Sequence, residues 1–306
     1  MPAREALVEA AQRLGATVEV EEVASNERLH ERLRTGPPFD LAFPSDYLVE
    51  RLVAERALVP LERDGLPLER LAGWALEAAH DPGCAWSVPF AYGTTGYLTA
   101  LRGARSWSAL FEPPAGTLVG MLDEVREVAG AALMASGHSP NDVSDGALSA
   151  AAALLRRQRA SVARWDSDDF VSPVIRGELP IHHAWSGPAA HAVRRHAHLR
   201  YVVPDEGATL WITAAAIPAD APDPARSLRL LAELMDPIIA ARTTLQYGFA
   251  TPSDAARAML PDDLRDDRAL FPDADTLTRC HVLRDLGPAE VRLAGLYEHR
   301  RRLWRT

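Results

Sequence analysis

The 306-residue chain contains no lysine, so all of its permanently basic side chains are arginines. We attribute this absence to GC-rich codon usage or to deliberate engineering, and it indicates little about mechanism. Acidic residues outnumber basic ones by 42 to 33, which gives a formal net charge of −9. This balance argues against a nucleic-acid partner, because phosphate binding requires an excess of basic residues on one surface. It is compatible with a cationic partner.

Cysteine is also scarce. Cys84 and Cys280 are the two cysteines of the chain, and they lie far apart without the spacing of metal ligands. They either pair in an oxidising compartment or remain as buried thiols, and the usual burial of free cysteine favours the second interpretation.

Long hydrophobic runs are absent too. No apolar run approaches the roughly 20 residues of a membrane-spanning helix. The first residues look like the start of a helix and lack the apolar stretch of a signal peptide. We therefore expect either a cytosolic protein or one whose export signal precedes this chain.

Motifs of catalysis and of metal binding are missing. The chain has no G-x-S-x-G elbow, no Walker A loop and no G-x-G-x-x-G fingerprint. His182 and His183 are neighbours in a predicted strand, so they point to opposite faces and cannot chelate one metal ion. His191, His196 and His198 lack the cysteine or carboxylate partners of a zinc site, and we expect them on a solvated surface. The sequence predicts no catalytic residue, no metal site and no cofactor.

The apolar pattern predicts an α/β protein. Helices alternate with short apolar strands, which is typical of parallel βαβ units. A glycine-rich segment over 91–98 suits a hinge crossing, because its backbone can rotate freely. Strands are predicted over 17–23, 41–43, 87–90, 118–121, 182–185, 201–203 and 211–213. Helices are predicted over 2–15, from 25 to 36, from 46, from 123, over 145–159, over 224–247 and from 288.

Two glutamates are the first candidate binding residues. Glu124 and Glu127 lie three residues apart in the first turn of the helix that Asp123 is expected to cap, so both carboxylates share a face. The helix dipole favours their ionised form there. They predict a cation site, but they also fit a simple acidic first turn or an ion pair with Arg126.

Two tryptophans are the second candidates. Trp185 and Trp211 each end a strand-like stretch, and strand ends facing a cleft are where open α/β sheets bind ligands. A tryptophan face attracts an ammonium group by roughly 0.5–2 kcal/mol. The alternative is that both are core residues.

Nine segments, in the same order and at similar spacing, resemble the spermidine/putrescine-binding proteins of ABC importers. The likeness runs from about residue 6 to the C-terminus. The segments are 39–47 (FDLAFPSDY), 88–96 (VPFAYGTTG), 106–111 (SWSALF), 122–127 (LDEVRE), 176–187 (RGE leading to WSG), 204–211 (PDEG leading to Trp211), 216–218 (AIP), 248–252 (GFATP) and 271–275 (FPDAD).

The resemblance implies a two-lobed periplasmic-binding-protein-like fold. Each lobe would be a mixed, mostly parallel sheet flanked by helices, and hinge crossings would join the lobes around a ligand cleft. Lobe 1 is expected over 1–93 and 214–263, and lobe 2 over 94–213 and 264–306. The implied function is that of a non-enzymatic substrate-binding component in the periplasm or outside the cell, which closes on a small cationic solute and delivers it to ABC permease subunits. It would be a monomer unless another chain completes lobe 1.

The resemblance also implies which residues bind the ligand. They are Ser45, Tyr47, Glu124, Glu127, Trp185, Trp211, Thr213 and Phe249. Three positions depart from the family: Thr213 stands where the polyamine binders place an Asp, Phe249 replaces a Tyr, and Leu283 replaces a Gln. We therefore expect a ligand with fewer cationic centres than spermidine, such as putrescine, a monoamine, an amidine or a zwitterion.

The start of the chain departs as well. Family members begin with a strand and an aromatic–acidic loop, whereas this chain opens on the helix that normally follows, so lobe 1 is expected to lack its first strand. A mis-assigned start codon, a trimmed chain, a rearranged gene or completion by another chain would each explain this. Alternatives to polyamine transport are the binding of an amino-acid-like or opine-like solute, a truncated or repurposed member without a transport role, and an enzyme on the same fold.

Overall fold

The computed structural model describes residues 4–23 and 25–301. The chain divides into two compact units, each built from two separate stretches. Unit 1 comprises Met1–Tyr92 and Trp211–Asp266, and unit 2 comprises Gly93–Leu210 and Asp267–Thr306. Two of the points at which the chain passes from one unit to the other lie within β-strands.

The secondary structure mixes helices with short strands. The strands are β1 (Ser87–Thr99), β2 (Val119–Met121), β3 (Val162–Trp165), β4 (Ile181–Trp185), β5 (Arg200–Val202), β6 (Thr209–Ala216) and β7 (His281–Val282). The helices are α1 (Arg4–Arg13), α2 (Asn26–Thr35), α3 (Asp46–Ala54), α4 (Gly73–Leu76), α5 (Ser108–Phe111), α6 (Val125–Ala135), α7 (Asp145–Gln158), α8 (Ser172–Ile175), α9 (Ser186–Arg195), α10 (Pro224–Leu234), α11 (Pro237–Tyr247), α12 (Asp254–Ala258), α13 (Asp262–Arg265), α14 (Ala274–Leu277) and α15 (Glu290–Arg301). None of the described helices is long and apolar enough to cross a lipid bilayer.

The core of unit 1 lies among α1, α10, α11 and the part of β1 before Gly93. The apolar stripe of α1 is buried through Leu7 and Ala10, as the helical spacing predicts. It joins a cluster with Phe90 from β1 and Leu231 from α10. Pro2, where the predicted first helix began, lies outside the described residues.

Two strand predictions in unit 1 are wrong. Residues 17–23 have no strand assignment, although Val18 and Val20 pack against the core. Their alternation records which side is buried, but a strand also requires a hydrogen-bonded neighbour. The predicted strand over 41–43 is reduced to an isolated antiparallel bridge between Ala42 and Ala216.

The single helix predicted over 224–247 is also wrong, because α10 and α11 are separate helices. Pro237 has no backbone N–H, and its ring would clash with the preceding turn of a continuous helix. Asp236 caps the new helix, since its carboxylate accepts a hydrogen bond from the Ile238 backbone nitrogen at 2.8 Å.

Unit 2 contains a mixed sheet. β2 pairs in parallel with β3 and β4, whereas β4 and β5 both pair antiparallel with the second half of β1. The start of β6 pairs in parallel with β7. The segments predicted separately over 87–90 and 91–98 are one continuous strand, and the unit boundary falls between Tyr92 and Gly93.

Two apolar clusters cover this sheet. One gathers α5, α6, α7 and α15 around the fully buried Trp107, and the other gathers α8 and α9 around Leu98. The prediction that His182 and His183 face opposite sides agrees with their contacts. The His182 ring lies 6.1 Å from Phe170 of the second cluster, and the His183 ring lies 5.5 Å from Trp107 of the first.

Candidate functional site

Glu127 is the buried carboxylate of unit 2. It lies in the first turn of α6 and is 8% exposed. The residue that begins the helix is Glu124, without a side-chain cap hydrogen bond, so the prediction that Asp123 caps it is wrong. Glu124 is half-buried and Asp123 is exposed. Of the predicted glutamate pair, therefore, Glu127 alone is withdrawn from water.

The two carboxylate oxygens of Glu127 have different surroundings. The indole nitrogen of Trp185 donates a hydrogen bond of 3.4 Å to Oε1. Oε2 is buried, and no partner of hydrogen-bonding geometry reaches it among the described residues. Burial raises the pKa of the Glu127 carboxyl, and the nearby Thr95, Trp185 and Thr209 side chains, together with the charge of Arg126, oppose this shift.

The Arg126 side chain reaches groups in two distant segments of unit 2. Its guanidinium donates to Asn141 Oδ1 and to the Arg284 carbonyl oxygen, each at 3.1 Å, and lies 3.7 Å from Glu290 of α15. Its positive charge also acts on Glu127, where it favours the ionised carboxylate, so the ion-pair interpretation stays a prediction. Adjacent residues on a helix point about 100° apart, which sends Arg126 toward the C-terminal segment.

Trp185 ends β4, opposite Thr95 of β1 in the antiparallel register. Its ring packs edge-on against Phe170 at 5.7 Å and is partly exposed. The following residue, Ser186, accepts a hydrogen bond from the Thr94 backbone nitrogen at 3.1 Å. Trp185 is thus neither a fully buried core residue nor a free surface one.

Unit 1 holds a second group of predicted residues around the start of α3. Ser45 precedes this helix as its N-cap residue, and its hydroxyl accepts a hydrogen bond of 2.9 Å from the Asn26 amide rather than capping the helix. The Tyr47 side chain is buried, and its hydroxyl donates to Glu27 at 3.4 Å. Asp46 has a structural role, because its carboxylate accepts from the backbone nitrogens of Tyr47 and Ile212.

The same unit contains Trp211, Thr213 and Phe249. Thr213 forms an antiparallel bridge with Ser45. The Trp211 ring meets Phe249 edge-on at 5.3 Å, and its indole nitrogen is buried without a hydrogen-bond partner among the described residues. By their contacts, Trp211–Thr213 belong to unit 1, whereas the sequence had assigned 211–213 to the second lobe.

The remaining residues noted in the sequence, one leucine and two cysteines, lie outside the two groups described above. Leu283 follows β7 in unit 2 and is 3% exposed. Cys84 and Cys280 are both free thiols, and burial raises their pKa values to about 12 and about 11. Within the described part of the chain, no histidine, cysteine or carboxylate group gathers into a metal-binding cluster.

Sequence reasoning missed the polar neighbours of these residues. Thr95 and Thr209 stand beside Glu127, and Asn26 and Glu27 stand beside Ser45 and Tyr47. Thr95 lies within one of the nine segments that carry the family resemblance. Its closeness to Glu127, more than 30 residues further along the chain, depends on strand pairing, which the sequence does not show. Asn26 and Glu27 were seen only as the start of a helix.

The family model described as "Bacterial extracellular solute-binding protein" matches residues 6–272. A similar curated protein is the spermidine/putrescine-binding periplasmic protein 1 of Haemophilus influenzae, which is 31% identical over 284 residues, covering 90% of this chain and 79% of that protein. The putrescine/cadaverine-binding protein of Pseudomonas aeruginosa is 28% identical over 300 residues, covering 92% and 85%.

Solved structures show the fold. The spermidine/putrescine ABC transporter substrate-binding protein PotD from Streptococcus pneumoniae superposes with a TM-score of 0.84 at 24% identity, covering 97% of this chain and 94% of that one. The binding protein AgtB of A. tumefaciens, in complex with agropinic acid, gives a TM-score of 0.73 at 15% identity, covering 98% and 93%.

Proposed function

Because the chain belongs to the family of bacterial extracellular solute-binding proteins, we propose that it is the substrate-binding component of an ABC importer and binds a polyamine or a related small organic cation. The names of the curated relatives support this ligand class, since they specify spermidine, putrescine or cadaverine. The likeness to an agropinic acid-binding structure, at 15% identity, concerns the fold alone.

The observation that carries the proposal is the state of Glu127. A buried carboxylate with one oxygen unsatisfied is costly, because that oxygen has lost its hydration without gaining a hydrogen bond. An ammonium group bound at Oε2 supplies that hydrogen bond and a positive charge in direct contact with the carboxylate. The Trp185 indole beside it offers an aromatic surface for the ligand's methylene chain. The Arg126 guanidinium donates to Asn141 and lies 3.7 Å from Glu290, and its charge favours the ionised form of Glu127 that an ammonium group requires.

The number of charges on the ligand follows from three other positions. Thr213, Leu283 and Phe249 stand where the resembling polyamine binders have an Asp, a Gln and a Tyr, so one counter-charge and two polar contacts are replaced. Leaving one charge of a buried pair without its partner typically costs about 3–5 kcal/mol. We therefore propose a diamine or monoamine in preference to spermidine. That Ser45, Tyr47, Trp211, Thr213 and Phe249 of unit 1 contact the same ligand stays a prediction.

The biological setting follows from the family. A solute-binding protein binds and releases its ligand unchanged, so we propose transport and not turnover. The periplasmic location in the names of the relatives supports a place outside the cytoplasm. ABC permease subunits are the proposed protein partners, and a monomer is the proposed state.

Calorimetric titration with putrescine, spermidine, agmatine and arginine tests the proposal. We expect wild-type protein to bind putrescine or another small amine more tightly than spermidine. The variant Glu127→Gln keeps the shape but removes the charge, and it should weaken binding about a hundredfold or more. Glu112→Gln is the matched control, since Glu112 forms a surface pair with Arg157. Absence of binding to every amine, or equal binding by wild type and Glu127→Gln, would contradict the proposal.

A further inference from the structure

Among the buried side-chain atoms of unit 2 without a hydrogen-bond partner in the described structure are two oxygens of neighbouring residues: Oε2 of Glu127 and Oγ1 of Thr95. Thr95 is 1% exposed and Glu127 is 8% exposed, so bulk water does not satisfy either atom. An unsatisfied buried donor or acceptor costs free energy comparable to a lost hydrogen bond. Two such oxygens on neighbouring side chains can both accept hydrogen bonds from one donor group.

Strand pairing brings the two side chains together. Thr95 lies directly opposite Trp185 in the antiparallel register of β1 and β4, so their Cβ atoms project from the same face. The Trp185 indole already donates to Oε1 of Glu127. The hydroxyl of Thr95 is close enough to Glu127 to favour the ionised carboxylate and so lower its pKa, as is that of Thr209. Trp185 thus contacts Oε1, whereas Oε2 and the Thr95 hydroxyl have no hydrogen-bond partner of good geometry among the described residues.

The backbone around Thr95 is held from two directions. Ser186 accepts from the Thr94 nitrogen, and the Tyr201 hydroxyl donates to the Thr94 carbonyl oxygen at 2.8 Å. At the next residue, Gly96, a Cβ would overlap the carbonyl oxygen of Val202, so the strands approach too closely for any side chain. Such constraints hold the backbone on both sides of Thr95 in place before a ligand arrives, which lowers the entropy cost of binding.

We infer that Thr95 is a further ligand-contact residue: one ammonium group of the solute donates hydrogen bonds to both Glu127 Oε2 and Thr95 Oγ1. The inference rests on the proposed function and specifies its ligand more narrowly. A primary ammonium has three N–H donors and a secondary one has two, so either fills both acceptors. A quaternary ammonium has none and leaves both acceptors unsatisfied. The site therefore selects primary and secondary amines against trimethylated ones such as choline.

Titration of Thr95→Val and Thr95→Ser with putrescine tests the inference. Valine keeps the shape but removes the hydroxyl, and we expect it to weaken binding about tenfold or more, as for a hydrogen bond to a charged group. Serine keeps the hydroxyl and should stay within about threefold of wild type. Wild-type protein should bind putrescine at least about a hundredfold more tightly than choline.

The pH dependence of putrescine binding distinguishes a hydrogen-bonding role of Thr95 from a role in packing alone. Removal of the Thr95 hydroxyl takes away one group that favours the ionised form of Glu127, so the pH below which putrescine binding fails should rise in Thr95→Val. The titratable groups near this carboxyl are Arg126 on the same helix and Tyr201 of β5, and both stay unchanged in the variant.

The outcomes are distinct. Thr95→Val with wild-type affinity and pH profile would overturn the inference, and so would equal losses in the valine and serine variants, which would indicate a role in shape. If Thr95→Val does not fold, the choline comparison on wild type still decides, since equal affinity for choline and putrescine overturns the inference. Loss of binding in Glu127→Gln but not in Thr95→Val leaves the proposed function standing. A wild type that binds no amine overturns both.

Discussion

Ser45 and Thr213 lie opposite each other in an antiparallel bridge of unit 1. Trp211 stands two residues before Thr213 on β6, so both side chains project from the same face of the strand. The Ser45 hydroxyl is held by Asn26, at 2.9 Å from the amide nitrogen. Position 213 therefore presents its side chain beside an ordered serine and on the same face as a tryptophan, but it carries no charge.

The variant Thr213→Asp restores the acidic residue that the resembling polyamine binders have. An added carboxylate supplies a counter-charge for a further ammonium group, so we expect the affinity for spermidine relative to putrescine to rise about tenfold or more. Calorimetry with both amines measures the ratio. Thr213→Asn is the control for shape and polarity, and it should leave the ratio unchanged. A ratio that rises equally in the Asn variant, or in neither variant, contradicts the prediction.

Trp185 and Trp211 should report ligand binding by fluorescence. Both rings are partly exposed, whereas Trp107 is fully buried in the core of unit 2. A cation or methylene chain on an exposed indole changes its polarity and quenching, so the emission of wild-type protein should change on addition of putrescine. Trp185→Phe and Trp211→Phe should each reduce the amplitude of that change. Saturable binding seen by calorimetry without any change in emission would contradict this expectation.

Local sequence patterns predicted helices and buried faces better than they predicted which strands pair. The spacing of Leu7 and Ala10 gave the buried face of α1, because a helix satisfies its own backbone hydrogen bonds. The alternation over 17–23 gave a buried side but not a strand, since strand formation depends on a neighbour elsewhere in the chain. The break before Pro237 has a signal in the sequence, because Asp-Pro within an apolar run is typical of a new helix start. The prediction of one long helix did not include this signal.

The candidate site shows the same limit. Glu127 was found from its position in a first helical turn and from the family resemblance. Its state was not predictable, because it depends on Arg126 turning to Asn141 and Glu290 and on Thr95 arriving from another strand. Side-chain partners separated by tens of residues are fixed by strand register and helix packing, which a single sequence does not specify.

Gly96 should be intolerant of any side chain. A Cβ there would overlap the Val202 carbonyl oxygen and crowd the Tyr201 hydroxyl, so Gly96→Ala must separate β1 from β5. We expect a loss of about 2 kcal/mol or more in the free energy of unfolding, measured by urea denaturation. Gly73→Ala is the matched control, because a Cβ at Gly73 meets no atom within 4 Å. Equal stability of the two variants would contradict the prediction.

Buried histidines should make the protein sensitive to acid. His182 and His183 are both fully buried, and burial lowers their pKa values to about 4 and about 3. In the unfolded chain a histidine has a pKa of about 6.5. Between about pH 6.5 and pH 4 the unfolded chain therefore binds more protons than the folded one, and the free energy of unfolding falls as the pH falls. Each histidine contributes about 2 kcal/mol of this loss between pH 7.5 and pH 5.

Urea denaturation at pH 7.5 and pH 5.0 measures this slope, and His183→Phe should reduce it. Phenylalanine keeps a ring beside Trp107, which lies 5.5 Å from the His183 ring, but it cannot take up a proton in either state. His198→Asn is the control, since His198 is exposed. Comparison of each variant with wild type removes the contribution of the carboxylates, which titrate equally in all three proteins. The prediction is contradicted if the free energy of unfolding falls as much between pH 7.5 and pH 5.0 in His183→Phe as in wild type. His183 would then take up its proton in the folded state as readily as in the unfolded chain, despite its deep burial.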